Sequence, residues 1–239
     1  MRNQELMQKS LEPADVAGFR FTDGSIEALK WLALVLMTAD HINHFIFKVQ
    51  LPVMYDLGRI AMPLFGFVLA YNLARPGALQ KRMHLRTMRR LFIYGLLASP
   101  FFIMLSKWLP LNIMFTLLLT TGLIYLIERN KGNDRKRCVL IFIIGGFFVD
   151  YAWLAPAYCL AAWWFCKSRS LARGLLWIGI TVLLWVVNLN LWACAALPVI
   201  FLASYIKIRI PRLRSVFYAY YPLHLALLLL IQKFMPLSI

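Results

Sequence analysis

"KWLALVLMTADHINHFIF", residues 30 to 47, begins as a plain membrane-spanning run and then breaks its own pattern. Its length is close to the ~20 apolar residues that cross a bilayer as a helix. Yet Asp40, His41, Asn43 and His44 crowd into its second half. Ionisable groups near the centre of a membrane helix cost at least ~2.5–3.5 kcal/mol each, so they usually face a bundle interior and mark a functional site. The stretch therefore predicts a membrane-embedded helix and a polar site carried on it.

The rest of the chain follows the same reading. Its 239 residues are 62% hydrophobic, whereas soluble domains sit near ~45–50%. Apolar runs recur at 30–47, 58–74, 91–106, 109–127, 138–149, 152–166, 174–188, 191–206 and 216–234, separated by short charged or proline-containing breaks. They predict an all-α polytopic membrane bundle of about nine transmembrane helices, the fifth and sixth short enough to form one bent hairpin. Residues 1–27 are polar and mixed in charge, without the basic, apolar and small-residue order of a signal peptide, so the run from Lys30 to Phe47 reads as a retained anchor. No repeat of 20 to 50 residues and no low-complexity linker divides the remainder, which predicts one membrane domain over 28–235. Cys138, Cys159, Cys166 and Cys194 form no CxxC pair and no zinc-like spacing; they read as packing residues, and no metal is expected.

A formal charge of +16 raises the question of nucleic acid, and charge location answers it. Of the 26 Lys and Arg, 22 fall in 1–30, 75–90, 128–137, 167–173 and 207–214, alternating with the proposed spans, against Lys48, Arg59, Lys107 and Lys233 on the other side. That is the positive-inside pattern of a membrane protein with a cytoplasmic N-terminus and a C-terminus that faces out. It makes the lipid bilayer, not nucleic acid, the partner of the charge.

At ~100° per residue, with Lys30 as zero, His41 lies near +20°, His44 near −40° and Asp40 near −80°. All four share an arc of roughly 100°, and Asn43 points elsewhere. The eleven steps from Lys30 to His41 rise roughly 16 Å, about half the hydrocarbon thickness. Arg59, at the start of "GRIAMPLFGF" (58–67), either snorkels to the interface or pairs with Asp40 or a carbonyl oxygen. In "FYAYYPLHLALLLL" (217–230), Tyr221 and His224 reach a depth like that of His41. Arg86 and Arg89, one turn apart with Arg90 beside them, either anchor a helix end at the membrane or clamp a phosphate. A self-satisfied polar knot holding helices together is the alternative reading of the whole cluster.

The segments "LVLMTADHINHF", "GRIAMPLFGF", "LNIMF" (111–115) and "FYAYYPLHLAL", in this order, resemble the motifs of the TraX family, the conjugative F-pilin acetylases, from about residue 28 to 230. The family is similar to the wider acyltransferase-3 group, whose pattern sets a Lys or Arg eleven positions before a catalytic His and includes an Arg-x-x-Arg. Lys30 and His41, and Arg86 and Arg89, match those elements. "YYPL" before His224 is longer than the family form. The resemblance implies an acetyl-CoA-dependent N-acetyltransferase acting on a pilin or other peptide N-terminus. His41 would be its base, supported by Asp40 or His44, with direct transfer and a covalent acetyl-His intermediate both open; Lys30, Arg86, Arg89 and Arg90 would hold acetyl-CoA at the inner membrane, the C-terminus being periplasmic. Arg59, Asn112 or Tyr221 would stabilise the oxyanion. A proton-coupled transporter would use similar polar residues but is expected to show repeated halves, which are not legible here. A non-catalytic pilus or secretion assembly component would bind no acetyl-CoA.

Overall fold

A computed structural model describes residues 21–211 and 213–234. Each of the nine apolar runs is helical in whole or in part. The helices are α1 (Asp23–Phe45), α2 (Pro52–Gly58), α3 (Ala61–Ala74), α4 (Met83–Leu105), α5 (Ile113–Arg129), α6 (Asp134–Gly146) and α7 (Leu154–Lys167). They continue with α8 (Leu171–Leu183), the short α9 (Trp185–Asn188), a 3₁₀ turn (Trp192–Ala195), α10 (Ala196–Tyr205) and α11 (Arg214–Phe234). No strand forms among the described residues; Leu111 and Val149 make one isolated bridge.

Among the described residues, four segments are long and apolar enough to cross a membrane: Pro52–Ala74, Met83–Leu105, Leu171–Asn188 and Ser215–Phe234. The all-helical membrane architecture is as expected, while the count of nine spans is not confirmed by this measure of length and composition. α1 is as long as α4 but carries Asp23, Glu27, Lys30 and Asp40 together with the polar residues that follow, so it falls short of that apolarity. It also begins earlier than the apolar run. Thr22 accepts a hydrogen bond from the Ser25 N–H at 3.0 Å, and this cap nucleates the helix at Asp23, inside the stretch expected to be a polar lead-in to residue 27.

The bundle is apolar on its surface as well as in its core. Large apolar side chains such as Phe92, Leu97, Val139, Leu175 and Leu227 point outward, as helices facing lipid require. Small residues let backbones approach inside, as in membrane bundles generally. Gly66 on α3 lies against Cys159 and Tyr158 of α7, and Gly95 on α4 against Met114 and Phe115 of α5. The Tyr158 hydroxyl donates to the Pro63 carbonyl at 2.9 Å and locks α7 to α3.

Two apolar clusters result. One joins α1, α3 and α7 around Leu29, Ala33, Phe67 and Tyr158. The other joins α1, α4, α5 and α11 around Phe45, Leu91, Met114, Tyr221 and Leu225. α1 belongs to both, so its polar second half lies at their junction.

The charge partition is physical. Arg75 pairs with Asp23 at 2.6 Å, Lys167 with Glu128 at 2.6 Å, and the Ser25 hydroxyl donates to the Ile206 carbonyl at 2.5 Å. With His84, next to the 75–82 linker, 3.3 Å from Glu128, these contacts gather four basic linkers and the start of α1 at one end of the bundle. At the opposite end Asn43, 1% exposed, clamps Leu51: its Nδ2 donates to the Leu51 carbonyl at 2.9 Å and its Oδ1 accepts from the Leu51 N–H at 3.0 Å. That fits its position off the polar arc.

Candidate active site

His41 faces α11. Its Nδ1 lies 2.7 Å from His224 Nε2, with the two rings only 10° from parallel. Tyr221 closes over both rings, 6.3 Å from His41 and 5.3 Å from His224 between centroids, and Phe45 lies 5.5 Å from His41. One turn toward the basic end, the Thr38 and Tyr220 hydroxyls meet at 2.8 Å. The i, i+3 and i, i+4 spacings explain the match: Thr38, His41 and Phe45 stand on one stripe of α1, and Tyr220, Tyr221 and His224 on the facing stripe of α11.

The partners settle how a neutral pair is protonated. His224 Nδ1 is 3.1 Å from the Tyr220 carbonyl oxygen, which can only accept, so Nδ1 carries the proton. His224 Nε2 is then an acceptor, and His41 must donate from Nδ1. The consequence is a lone pair on His41 Nε2, held in place from behind by a second histidine.

Asp40 and His44 do not support His41 as expected. Asp40 is turned ~100° from His41 around the helix, and Arg59 takes both its oxygens at 2.6 Å. Arg59 is itself fixed, donating from Nε to the Tyr55 carbonyl at 3.2 Å and stacking 4.4 Å from the Tyr55 ring centre. Of the two roles open to Arg59, pairing with Asp40 is the one realised. His44 is exposed and meets Phe45 edge-on at 5.0 Å. Among the described residues no hydrogen bond ties it to His41.

Asn112 is also placed otherwise. Its Oδ1 accepts from the Met114 N–H at 3.1 Å, capping α5, while Nδ2 donates to the Gly95 carbonyl at 3.1 Å and the Ser99 hydroxyl at 3.2 Å. An amide committed in this way holds α5 to α4 and has no donor left for an oxyanion.

Sequence reading passed over Asp150 and Tyr151, in the loop between α6 and α7. Asp150 accepts from the Tyr151 N–H at 3.0 Å and lies within electrostatic reach of Arg59 and Asp40. Burial pushes its carboxyl up to about 6, against that N–H and the Arg59 charge, which lower it. An acid placed between two apolar runs was the signal, but it resembled an ordinary turn residue.

At the basic end a cavity of about 630 Å³ opens between α1, α3, α4, α5 and α11. Lys30, Arg75, Lys81, Arg86 and Arg90 line it with no carboxylate among the lining residues, and it is floored by Phe65, Met114 and Leu117. Three of the four basic residues expected at a phosphate site are thus brought together. Arg89 is exposed and does not line the cavity, because the wall of α4 follows the i, i+4 pair Arg86 and Arg90 rather than the i, i+3 pair. Lys30 also pairs with Glu27 at 2.6 Å and lies 4.4 Å from the Phe217 ring centre. Arg75 and Lys81, which had read as loop charge, join the site because the 75–82 linker folds back over the cavity. His41 is not in its lining. Met114 and Tyr218 line the cavity and share a cluster with Tyr221, which touches His41.

Helices that present apolar faces outward and a histidine pair inward define an all-helical integral membrane protein with an internal polar site. A family model described as TraX protein matches residues 25–232, from the first turn of α1 to the last of α11. The chain belongs to the TraX family.

Two curated relatives are similar over shorter stretches. Protein TraX of Escherichia coli is 30% identical over 129 residues, 53% of this chain and 49% of that protein. An uncharacterised protein of Rickettsia prowazekii (strain Madrid E) is 33% identical over 100 residues, 41% of this chain and 36% of that protein. The matches therefore span about half or less of either relative. No solved structure matches.

Proposed function

We propose that this protein is a membrane acetyltransferase that moves an acetyl group from cytoplasmic acetyl-CoA to the amino terminus of a peptide, a conjugative pilin being the acceptor that the family resemblance favours. The observation that carries the reading is the His41–His224 pair: it leaves a lone pair on His41 Nε2, on the α1 stripe that begins at Lys30 in the cation-lined cavity.

In this reading the basic end faces the cytoplasm of a cell with an inner membrane. Lys30, Arg86 and Arg90, joined by Arg75 and Lys81, hold the phosphates of acetyl-CoA, for which charge-assisted hydrogen bonds are suited. Its pantetheine arm enters the apolar depth of the cavity and passes Met114, whose unbranched side chain can move aside. Lys30 to His41 is a rise of roughly 16 Å, a span comparable to that arm. The acceptor amine approaches from the opposite end.

His41 Nε2 removes a proton from the amine as its nitrogen attacks the thioester carbonyl. The new C–N bond forms, the C–S bond breaks, and the proton passes from the imidazolium to the leaving thiolate. His224 stabilises the imidazolium by accepting from Nδ1, much as an acceptor orients the histidine of a hydrolase. Tyr221, against both rings, is the candidate oxyanion donor; Arg59 keeps Asp40 as its partner.

The test is intact-mass analysis of a synthetic pilin N-terminal peptide incubated with acetyl-CoA and membranes containing the protein. One added acetyl group is expected with the wild type and none with His41→Ala. Undiminished transfer by His41→Ala overturns the assignment.

A further inference from the structure

A second basic cavity lies on the far side of the 75–82 linker. It measures about 370 Å³ and is lined by Arg82, His84, Tyr125, Arg129 and Lys131 together with Leu79 and Leu85. No carboxylate is among its lining residues. Arg82 and Lys131 are exposed at its rim, whereas His84 is 0% exposed and sits at its base.

Local folding builds the site. Arg129 binds Asp134 through Nε at 2.7 Å and Nη2 at 2.5 Å, and the Lys131 N–H donates to the same carboxylate at 2.9 Å. The α5–α6 turn is thereby tied down, with Asn130 and Gly132 at φ 45° and 50°. Arg129 also lies 5.4 Å from the Tyr125 ring centre, and Arg82 and Lys131 line the same cavity.

Behind the cavity, His84 Nε2 lies 3.3 Å from Glu128 Oε2, and Glu128 Oε1 lies 2.6 Å from Lys167 Nζ. The charge of Glu128 is therefore already met by Lys167. Both ring nitrogens of His84 are buried without a hydrogen-bond partner, and only Nε2 has a carboxylate near it. Buried polar atoms in folded proteins are nearly always satisfied, so an orphan at the base of a basic cavity points to an absent ligand atom.

We infer that this cavity binds a phosphate group, with Arg82, Arg129 and Lys131 on its oxygens and His84 beneath them as an imidazolium, donating from Nδ1 to the phosphate and from Nε2 toward Glu128. Phosphate suits the site because its several acceptor oxygens can take donors from different sides, whereas a planar carboxylate presents two. The group arrives either as the headgroup of an anionic phospholipid or as a soluble phosphate. A lipid source fits the flanking Leu79 and Leu85, and basic pockets between membrane helices hold such headgroups in other proteins. The site is distinct from the acetyl-CoA cavity and does not rest on acetyl transfer.

The experiment uses the full chain in phosphatidylcholine nanodiscs, without acetyl-CoA, and reads the thermal unfolding midpoint and native-mass adducts. One arm adds 10 mol% phosphatidylglycerol (an amount chosen as about one lipid in ten); the other adds inorganic phosphate. An upward shift with bound ligand in either arm is expected, and the responding arm identifies the source. The rim variant Arg82→Gln/Lys131→Gln, which alters only exposed side chains, should bind that ligand more weakly by on the order of tenfold or more. His84→Asn should weaken it as well. No shift in either arm, or equal binding by the rim variant, overturns the inference.

Discussion

Gly58→Ala probes the packing that holds Asp40 in place. A Cβ at this position would lie 2.4 Å from Asp40 Cβ, 2.5 Å from its Cγ and 2.6 Å from its Oδ1. Ordinary carbon contacts are ~3.5–4.0 Å, so Asp40 must retreat by about 1 Å. It has little room to do so, because Arg59 grips both oxygens at 2.6 Å and is anchored on Tyr55. Overpacking of this kind costs ~1–3 kcal/mol, and loss of a buried ion-pair partner ~3–5 kcal/mol. Alanine in a helix recovers only ~1 kcal/mol relative to glycine. With Asp40 driven off Arg59 so that the overlap is relieved, the ~3–5 kcal/mol of the pair less that ~1 kcal/mol leaves a net loss of about 2–4 kcal/mol, which lowers the unfolding midpoint by roughly 5–15 °C in a chain of this size.

The assay is thermal unfolding of the purified protein in one detergent, beside Gly179→Ala as control. Gly179 lies within α8 with nothing within 4 Å of its would-be Cβ, so that change should raise the midpoint by a few degrees. If Gly58→Ala is as stable as the wild type, the close contact with Asp40 is not part of the folded protein.

Further expectations concern separate parts of the molecule. His224→Ala should slow acetyl transfer by roughly 10–100-fold, the cost of one charge-assisted hydrogen bond, while Asn43→Ala lowers stability with little effect on rate, read by peptide acetylation and thermal unfolding together. Arg90→Gln should weaken acetyl-CoA binding and Arg89→Gln should not, measured by calorimetry; equal losses would return both to surface anchoring. Gly24→Ala would set a Cβ 1.7 Å from the Ile208 carbonyl oxygen, so it should detach the segment after α10 from α1, seen as new protease sensitivity near residue 208. Asp150 has a folded-state value raised to about 6 by burial, so its ionisation opposes folding. Its effect on stability is absent below pH 4 and grows as pH rises to about 6; Asp150→Asn should remove that slope from the unfolding midpoint.

Much of the site was legible because membrane burial makes polar residues conspicuous. His41, His224 and Tyr221 stood out by type and depth in apolar runs, and the structure brings them into contact. Lys30, Arg86 and Arg90 likewise meet at one cavity. The misplacements share a cause. Angular position on one helix ranks residues by face but does not say which neighbour meets that face. Asp40 and His41, ~100° apart, look like one cluster on a wheel, yet α2 and α11 claim them separately. Arg75, Lys81 and Arg82 were invisible as site residues since nothing local distinguishes a folded-back linker from a solvated one.

The amino-acid sequence by itself determined the all-helical membrane class, the segregation of charge to one end, and a buried polar stripe on α1. Those follow from hydropathy, periodicity and the energetic cost of charge in lipid, which act on each segment separately. Tertiary structure alone decided that His224 sets the proton on His41, that Arg59 neutralises Asp40, that Asn112 is a cap, and that a linker divides two basic cavities. Each of these depends on which side chains from distant segments come within about 3 Å of one another, and the packing of small residues between helices, not any local propensity, fixes that distance.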